Sequence, residues 1–335
     1  MFIEKGEYMF NYFNLKNRQA AVQPTKAIHW FSHLFSELIG TIWISLGLAG
    51  LSIIIKDKVV EHYLLHNVIV GFFAGFVVVG SCLIFFGRWS VDLNPVVTLY
   101  RWFNGTNKTG YVMAKLAMQI VGGILAGLII YGIGHNASGI KFEANYLANA
   151  TDTAHKANHY ISAHNVSAKS FMPNFDSAFA KEAVITKKTI WSGGVWIFFG
   201  EMVLGAILLF PIFSPRLDNK YRDTFICFII SFDVWMGILL GSAAINPVRG
   251  LAQQVPTLFF DMKHLSAMAQ YDIHMGTWAM VLGNLMSPVF HAFMQGFTEK
   301  YGNPALLWML NYKNNKASHY VKETQTKEES VKKNN

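Results

Sequence analysis

Charge is scarce in this chain: only 14% of its 335 residues are Asp, Glu, Lys or Arg, against 52% hydrophobic and 15% aromatic. With a mean hydropathy of +0.28, that balance excludes an ordinary soluble domain of this length and makes a membrane protein the default. Cysteine is nearly absent. The two present, Cys82 and Cys227, fall inside apolar runs and read as small packing residues rather than a disulfide or a redox pair. The formal charge of +8 sits in the terminal tails and short loops, with no basic stripe interleaved with aromatics, so no nucleic-acid partner is expected. Residues 1–26 are polar and lack an apolar run beside their basic residues, so a cleaved signal peptide is not expected. No carboxylate pair, nucleophile and base set, or phosphate loop has supporting context, which argues against an enzyme and against a cofactor.

What is present is a set of long apolar runs. Six stretches, 35–55, 67–86, 112–133, 195–213, 224–240 and 277–297, approach the roughly 20 residues a helix needs to cross about 30 Å of hydrocarbon. Two further apolar segments, 94–103 and 246–260, are too short to span and read as re-entrant half-helices. The order is three spans with a half-helix between the second and third, a long polar insert, and the same order again. Three spans per half is odd, so the second half enters from the opposite side and the repeat is inverted. Ser36-Glu37-Leu38-Ile39-Gly40 is echoed by Gly200-Glu201-Met202-Val203-Leu204-Gly205.

The expected division is a tail over 1–30, a first repeat over 31–138, a loop over 139–189, a second repeat over 190–300 and a tail over 301–335. Basic residues in short loops (Arg101, Lys108, Arg216, Lys220 and Arg222) and after the last span (Lys313, Lys316, Lys322) place both termini on the cytoplasmic side, and the insert outside. Gly71/Gly75, Gly123/Gly127 and Gly237/Gly241 put small residues four apart for close helix packing. His155, His159 and His164 lie in the Ala/Asn/Ser-rich insert without cysteine and read as solvated loop, so no metal is expected. Asn136, Asn149 and Asn165 fit glycosylation sequons, and the tail from Lys313 reads as disordered.

The chemistry centres on a tripeptide that occurs twice, Asn94-Pro95-Val96 and Asn246-Pro247-Val248. Asn caps a helix N-terminus and Pro suits the first helical position, so each copy starts a short helix. Two such starts at membrane depth expose unpaired N–H groups and partial positive charge, which repel cations, while the Asn amides donate to a passing neutral solute. Irregular backbone at that depth requires a water-filled cavity. Arg249 adds a full charge and further donors one turn into the second half-helix. Glu37 and Glu201, costly inside apolar helices, are expected to accept backbone N–H bonds from the loop before each half-helix and so fix its Asn.

These residues resemble the major intrinsic protein family, the aquaporins and aquaglyceroporins. The resemblance is carried by 87–98 (GRWSVDLNPVVT), 243–249 (AAINPVR), Glu37 and Glu201, Gln119, and 278–288 (WAMVLGNLMSP), and it spans about residues 30–300. It implies an all-α membrane fold of six transmembrane helices and two half-helices, one pore per subunit, and a homotetramer in the plasma membrane. The family's four constriction positions project onto Ala74, Val234, Ala243 and Arg249; a shift of one residue substitutes Phe73 or Asp233. That ring, one Arg and three small or medium apolar residues, suits glycerol or a similar polyol together with water, as in a glycerol-facilitator-type member. The chain departs from the family with Val at 96 and 248 in place of Ala, Asp92 in place of His, and Gly250 where glycerol-conducting members commonly carry Asp. The alternatives are a water-selective channel, a proton-coupled transporter working through Asp92, Asp233 or the buried Glu residues, and a non-conducting junctional protein plugged by Val96 and Val248.

Overall fold

The computed structural model describes residues 21–54, 69–136, 187–214, 217–240, 242–255 and 267–312. The three insert histidines, Asn149 and Asn165, Arg216, Gly241 and both tails beyond these limits lie outside the described residues.

The described chain is helical, with one isolated bridge between Val22 and Asn107. In chain order the helices are α1 (Ala27–Ile54), α2 (Ile69–Phe86), the short α3 (Pro95–Phe103) and α4 (Thr109–Asn136). The second half follows with α5 (Lys187–Phe213), α6 (Asn219–Leu240), the short α7 (Pro247–Val255) and α8 (Ala267–Phe297). Within these elements Ala27–Leu48, Ile69–Phe86, Thr109–Ile130 and Ile190–Phe213 are long and apolar enough to cross a bilayer. The other two long helices, α6 and α8, run for 22 and 31 residues. Each short helix has nine residues, about 14 Å of rise, which is half of the hydrocarbon thickness.

Beside an apolar core, an unusual set of polar residues is buried and many large apolar side chains are exposed. Ser36, Glu37, Thr41 and Ser45 on one face of α1 are fully buried, while Phe72, Phe76, Phe228, Phe232 and Trp278 stand on the outer surface. Apolar side chains outside and polar ones inside are the arrangement a lipid solvent selects. Interhelical contact then depends on close backbone approach rather than on apolar burial. Gly75 on α2 sits against the Cys227 carbonyl of α6, and Gly123 and Gly127 on α4 face Val248 and Val255 of α7; a Cβ at any of these would collide with the neighbour.

The short helices tie the two halves together. Helix α7, from the second half, packs on α4 and α1 of the first. Helix α3, from the first half, meets the second through Tyr100, whose ring lies 4.5 Å from Phe213 of α5 and 4.9 Å from His291 of α8. Helix α2 is interrupted by a π-helical stretch, Phe73–Val79. Residues 292–312 form a unit of their own: the end of α8, a π-helical turn (Thr298–Gly302) and a helix over 303–312 with Trp308 and Tyr312 stacked.

Candidate functional site

Each half-helix begins the same way. Asn94 has extended backbone, and its side-chain oxygen accepts from Val96 N at 3.0 Å, with Pro95 at the first helical position. Asn246 accepts from Val248 N at 3.1 Å and Arg249 N at 3.2 Å. The residue before each Asn is a non-glycine in the left-handed region: Leu93 has φ 50° and Ile245 φ 57°. That conformation is costly for a branched side chain and persists only where the surroundings hold it.

Two things hold it. The first is a cross-brace: Asn94 Nδ2 donates to Ile245 O at 3.0 Å, and Asn246 Nδ2 donates to Leu93 O at 2.7 Å. The two caps therefore brace each other, and one N–H of each amide is spent on the opposite loop, with the second lacking a partner among the described residues.

The second is a buried carboxylate behind each loop. Glu37 accepts from Ser90 Oγ at 2.5 Å, Asp92 N at 3.0 Å, Leu93 N at 2.8 Å and Gln119 Nε2 at 2.7 Å. Glu201 accepts from Ser242 Oγ, from Ala244 N and Ile245 N at 2.8 Å each, and from Asn284 Nδ2 at 2.9 Å. The two sets correspond residue for residue, a serine, two loop amides and a side-chain amide from the third helix of the repeat. Ser90, Ser242 and Asn284 were not singled out from the sequence. A serine four residues ahead of each Asn was the available signal.

One cavity of about 730 Å³ runs past both caps. Its wall includes Asn94, Val97 and Arg101 from α3, Asn246 and Arg249 from the second loop and helix, and apolar residues such as Ile44, Leu83, Leu208 and Ile230. Of the projected constriction, Val234, Ala243 and Arg249 line this cavity; Ala74 is fully buried in the π-helical stretch and is outside the lining. Phe73 packs on the apolar cluster of Ile44, Val78, Cys82 and Leu93. The Arg249 guanidinium is oriented by a 2.8 Å bond from Nη1 to Ala243 O.

Val96 and Val248 are buried and absent from the lining; Val248 fills the space that Gly123 leaves. The extra methyls therefore lie in helix packing, which removes the basis for a valine plug. Gly250 faces Met280 and Ala244 so closely that a side chain there would overlap them.

At the other mouth, Asp92 accepts from Arg101 Nε at 2.7 Å, from Thr98 Oγ1 at 3.1 Å and from the ammonium of Lys115, which is itself buried. Segment 22–25 lines this end, held by Val22 N to Thr106 O at 2.9 Å and Lys108 N to Val22 O at 3.1 Å. Arg222 also lines the cavity, with its guanidinium joining the C-terminus of α5 to the following loop through Pro211 O, Ile212 O, Ser214 O and Leu217 O. Asp233, one residue before Val234, is fully buried, and neither carboxylate oxygen has a hydrogen-bond partner among the described residues.

No family model matches the sequence, and no curated protein matches it. Among solved structures, the chain is similar to the aquaglyceroporin from Plasmodium falciparum, with a TM-score of 0.53 and 13% identity over 82% of this chain and 98% of that one. Such identity speaks to the fold alone, and that fold agrees with the six long helices, the paired half-helices and their meeting caps. The chain is an all-helical integral membrane protein with the aquaporin fold.

Proposed function

We propose that the protein is a passive channel for small neutral solutes, glycerol or a similar polyol together with water, that excludes ions and protons. The observation that carries this reading is a cavity whose wall includes both half-helix caps and Arg249. A solute there exchanges water for the free N–H of Asn94 and Asn246 on one side and meets hydrocarbon on the other. Val234 and Ala243 beside Arg249 leave an opening with one polar edge, which suits a carbon chain bearing hydroxyls along one side. The structural neighbour is an aquaglyceroporin, which supports the same solute class. Cations are opposed by two half-helix N-termini and by the Arg249 charge.

The chain functions in this account as a homotetramer in the plasma membrane with both termini cytoplasmic. Liposomes containing the purified protein should shrink and reswell faster than empty ones under an imposed glycerol gradient, and faster under a sucrose gradient that reports water alone. Protein-containing liposomes matching empty ones for both solutes would refute the channel. The coupled-transporter reading rests on Asp233, because Asp92 is ion-paired and Glu37 and Glu201 are fully hydrogen-bonded. Accumulation of glycerol against its gradient under an imposed pH difference would favour it.

A further inference from the structure

Beside α3, two cations share one loop carboxylate, and only one of them is enclosed. Asp92 is met by two cations, Lys115 on one oxygen and Arg101 on the other, and the buried Glu37 carboxylate nearby balances the second charge. Lys115 is 1% exposed and is enclosed by Asp92 and the Tyr111 ring, 4.8 Å from its ammonium. Arg101 is different. Its side chain is 34% exposed, its Nε edge is fixed on Asp92, and its guanidinium carbon lies 5.1 Å from the centroid of the Phe213 ring. Its Nη1 and Nη2 have no protein partner among the described residues.

That fixed fork lies on the permeation path. Asn94, Val97 and Arg101, spaced three and four apart on α3, all line the cavity that reaches Arg249. Arg101 stands seven residues beyond the Asn94 cap, about 10 Å along the helix axis. The same cavity wall therefore carries Arg101, both caps and Arg249, while Arg222, also in the wall, has both Nη groups bonded to backbone carbonyls.

A guanidinium edge with two parallel N–H groups matches two oxygens held side by side, which a single donor does not distinguish. We propose that Arg101 is a second recognition point on the path, favouring passage of solutes that present two adjacent acceptor oxygens, as a vicinal diol does, and binding without passing a carboxylate of the same shape. Asp92 and Lys115 act as positioning residues that hold the fork in place. The inference rests on the channel reading and names the class of solute its second mouth favours.

Propane-1,2-diol and propane-1,3-diol test it, because they share mass and composition and differ in whether the oxygens are adjacent. In liposomes containing the full chain, below saturation, the 1,2-isomer should pass about fivefold faster, the equivalent of one additional net hydrogen bond. Arg101→Gln should bring the ratio near one, and Arg101→Lys, which keeps the charge and loses the fork, should do the same. Lactate at neutral pH should slow the 1,2-isomer in the wild type; an unchanged rate overturns carboxylate binding at the fork. An isomer ratio that is the same in the wild type and both variants overturns the role of Arg101. Liposomes no more permeable than empty ones to either isomer instead overturn the channel reading itself.

A second measurement needs no variant: labelling of the wild type with p-hydroxyphenylglyoxal, read at Arg101 by mass spectrometry. Propane-1,2-diol should protect Arg101 and the 1,3-isomer should not; equal labelling in both overturns the proposal.

Discussion

Replacing Glu201 by Gln tests how the pore loop is held, because the change keeps the shape and removes half of the acceptor capacity. Glu201 is fully buried and receives donors from Ser242 Oγ, Ala244 N, Ile245 N and Asn284 Nδ2. A Gln amide placed with its NH2 toward Ile245 and Asn284 sets donor against donor twice. Turned the other way, its NH2 faces the Ser242 hydroxyl, which can rotate to accept, and only Ala244 N–H is orphaned. The second orientation therefore wins. Its cost is one unsatisfied buried N–H, about 1–3 kcal/mol, plus the weakening of the remaining bonds from charge-assisted to neutral. Relief from burying a carboxylate that has no direct ion pair among the described residues offsets part of this. The net expectation is a loss of about 2–4 kcal/mol, read by unfolding of the purified protein in detergent, with Glu37→Gln falling in the same range because its donors correspond. Ile245, held at positive φ, should relax as well, so glycerol flux should fall. An unchanged unfolding midpoint with normal flux would refute the claim that the carboxylate fixes the loop.

Three further perturbations probe other parts of the account. Gly123→Ala should cost about 1–3 kcal/mol by collision with Val248, and adding Val248→Ala should restore at least half of it in a double-mutant cycle read by thermal unfolding. Gly250→Asp should sharply reduce folded yield on size-exclusion chromatography, because the carboxylate meets Met280 and Ala244. Arg249→Val should keep solute flux while admitting cations or protons, read as dissipation of a pH gradient in liposomes; unchanged exclusion would assign the barrier to the half-helix ends alone.

The parts of this fold that were legible in the sequence are those whose chemistry repeats locally. Asn-Pro marks a capped helix start wherever it stands, and two copies following apolar spans brought the half-helices into view. A lone Glu in each first span pointed to a buried acceptor. Helix limits were less legible. The run beginning at residue 35 is the apolar part of a helix that starts at Ala27, and α5 starts at Lys187 rather than near 195. Hydropathy sees only the lipid-facing length, so the polar first turns with His29, Ser32 and His33, or with Lys187 and Lys188, fall outside it.

Positions that depend on register were less legible again. An ungapped projection assumes a regular helix, and the π-helical stretch Phe73–Val79 inserts extra residues per turn where Ala74 was projected to line the opening. The Asp92 to Lys115 pair joins residues on different elements, and nothing local in the sequence announces that a lysine inside an apolar span has found a carboxylate.

The central claim is that one continuous path carries neutral solute and no ions. It is tested most directly in liposomes that contain the protein and a trapped pH-sensitive dye, with glycerol flux followed by light scattering and proton movement by the dye under the same imposed membrane potential. The account predicts glycerol and water permeability well above empty liposomes, with a proton leak indistinguishable from theirs. Proton movement that rises with the amount of protein, or glycerol flux no faster than through lipid alone, would contradict it.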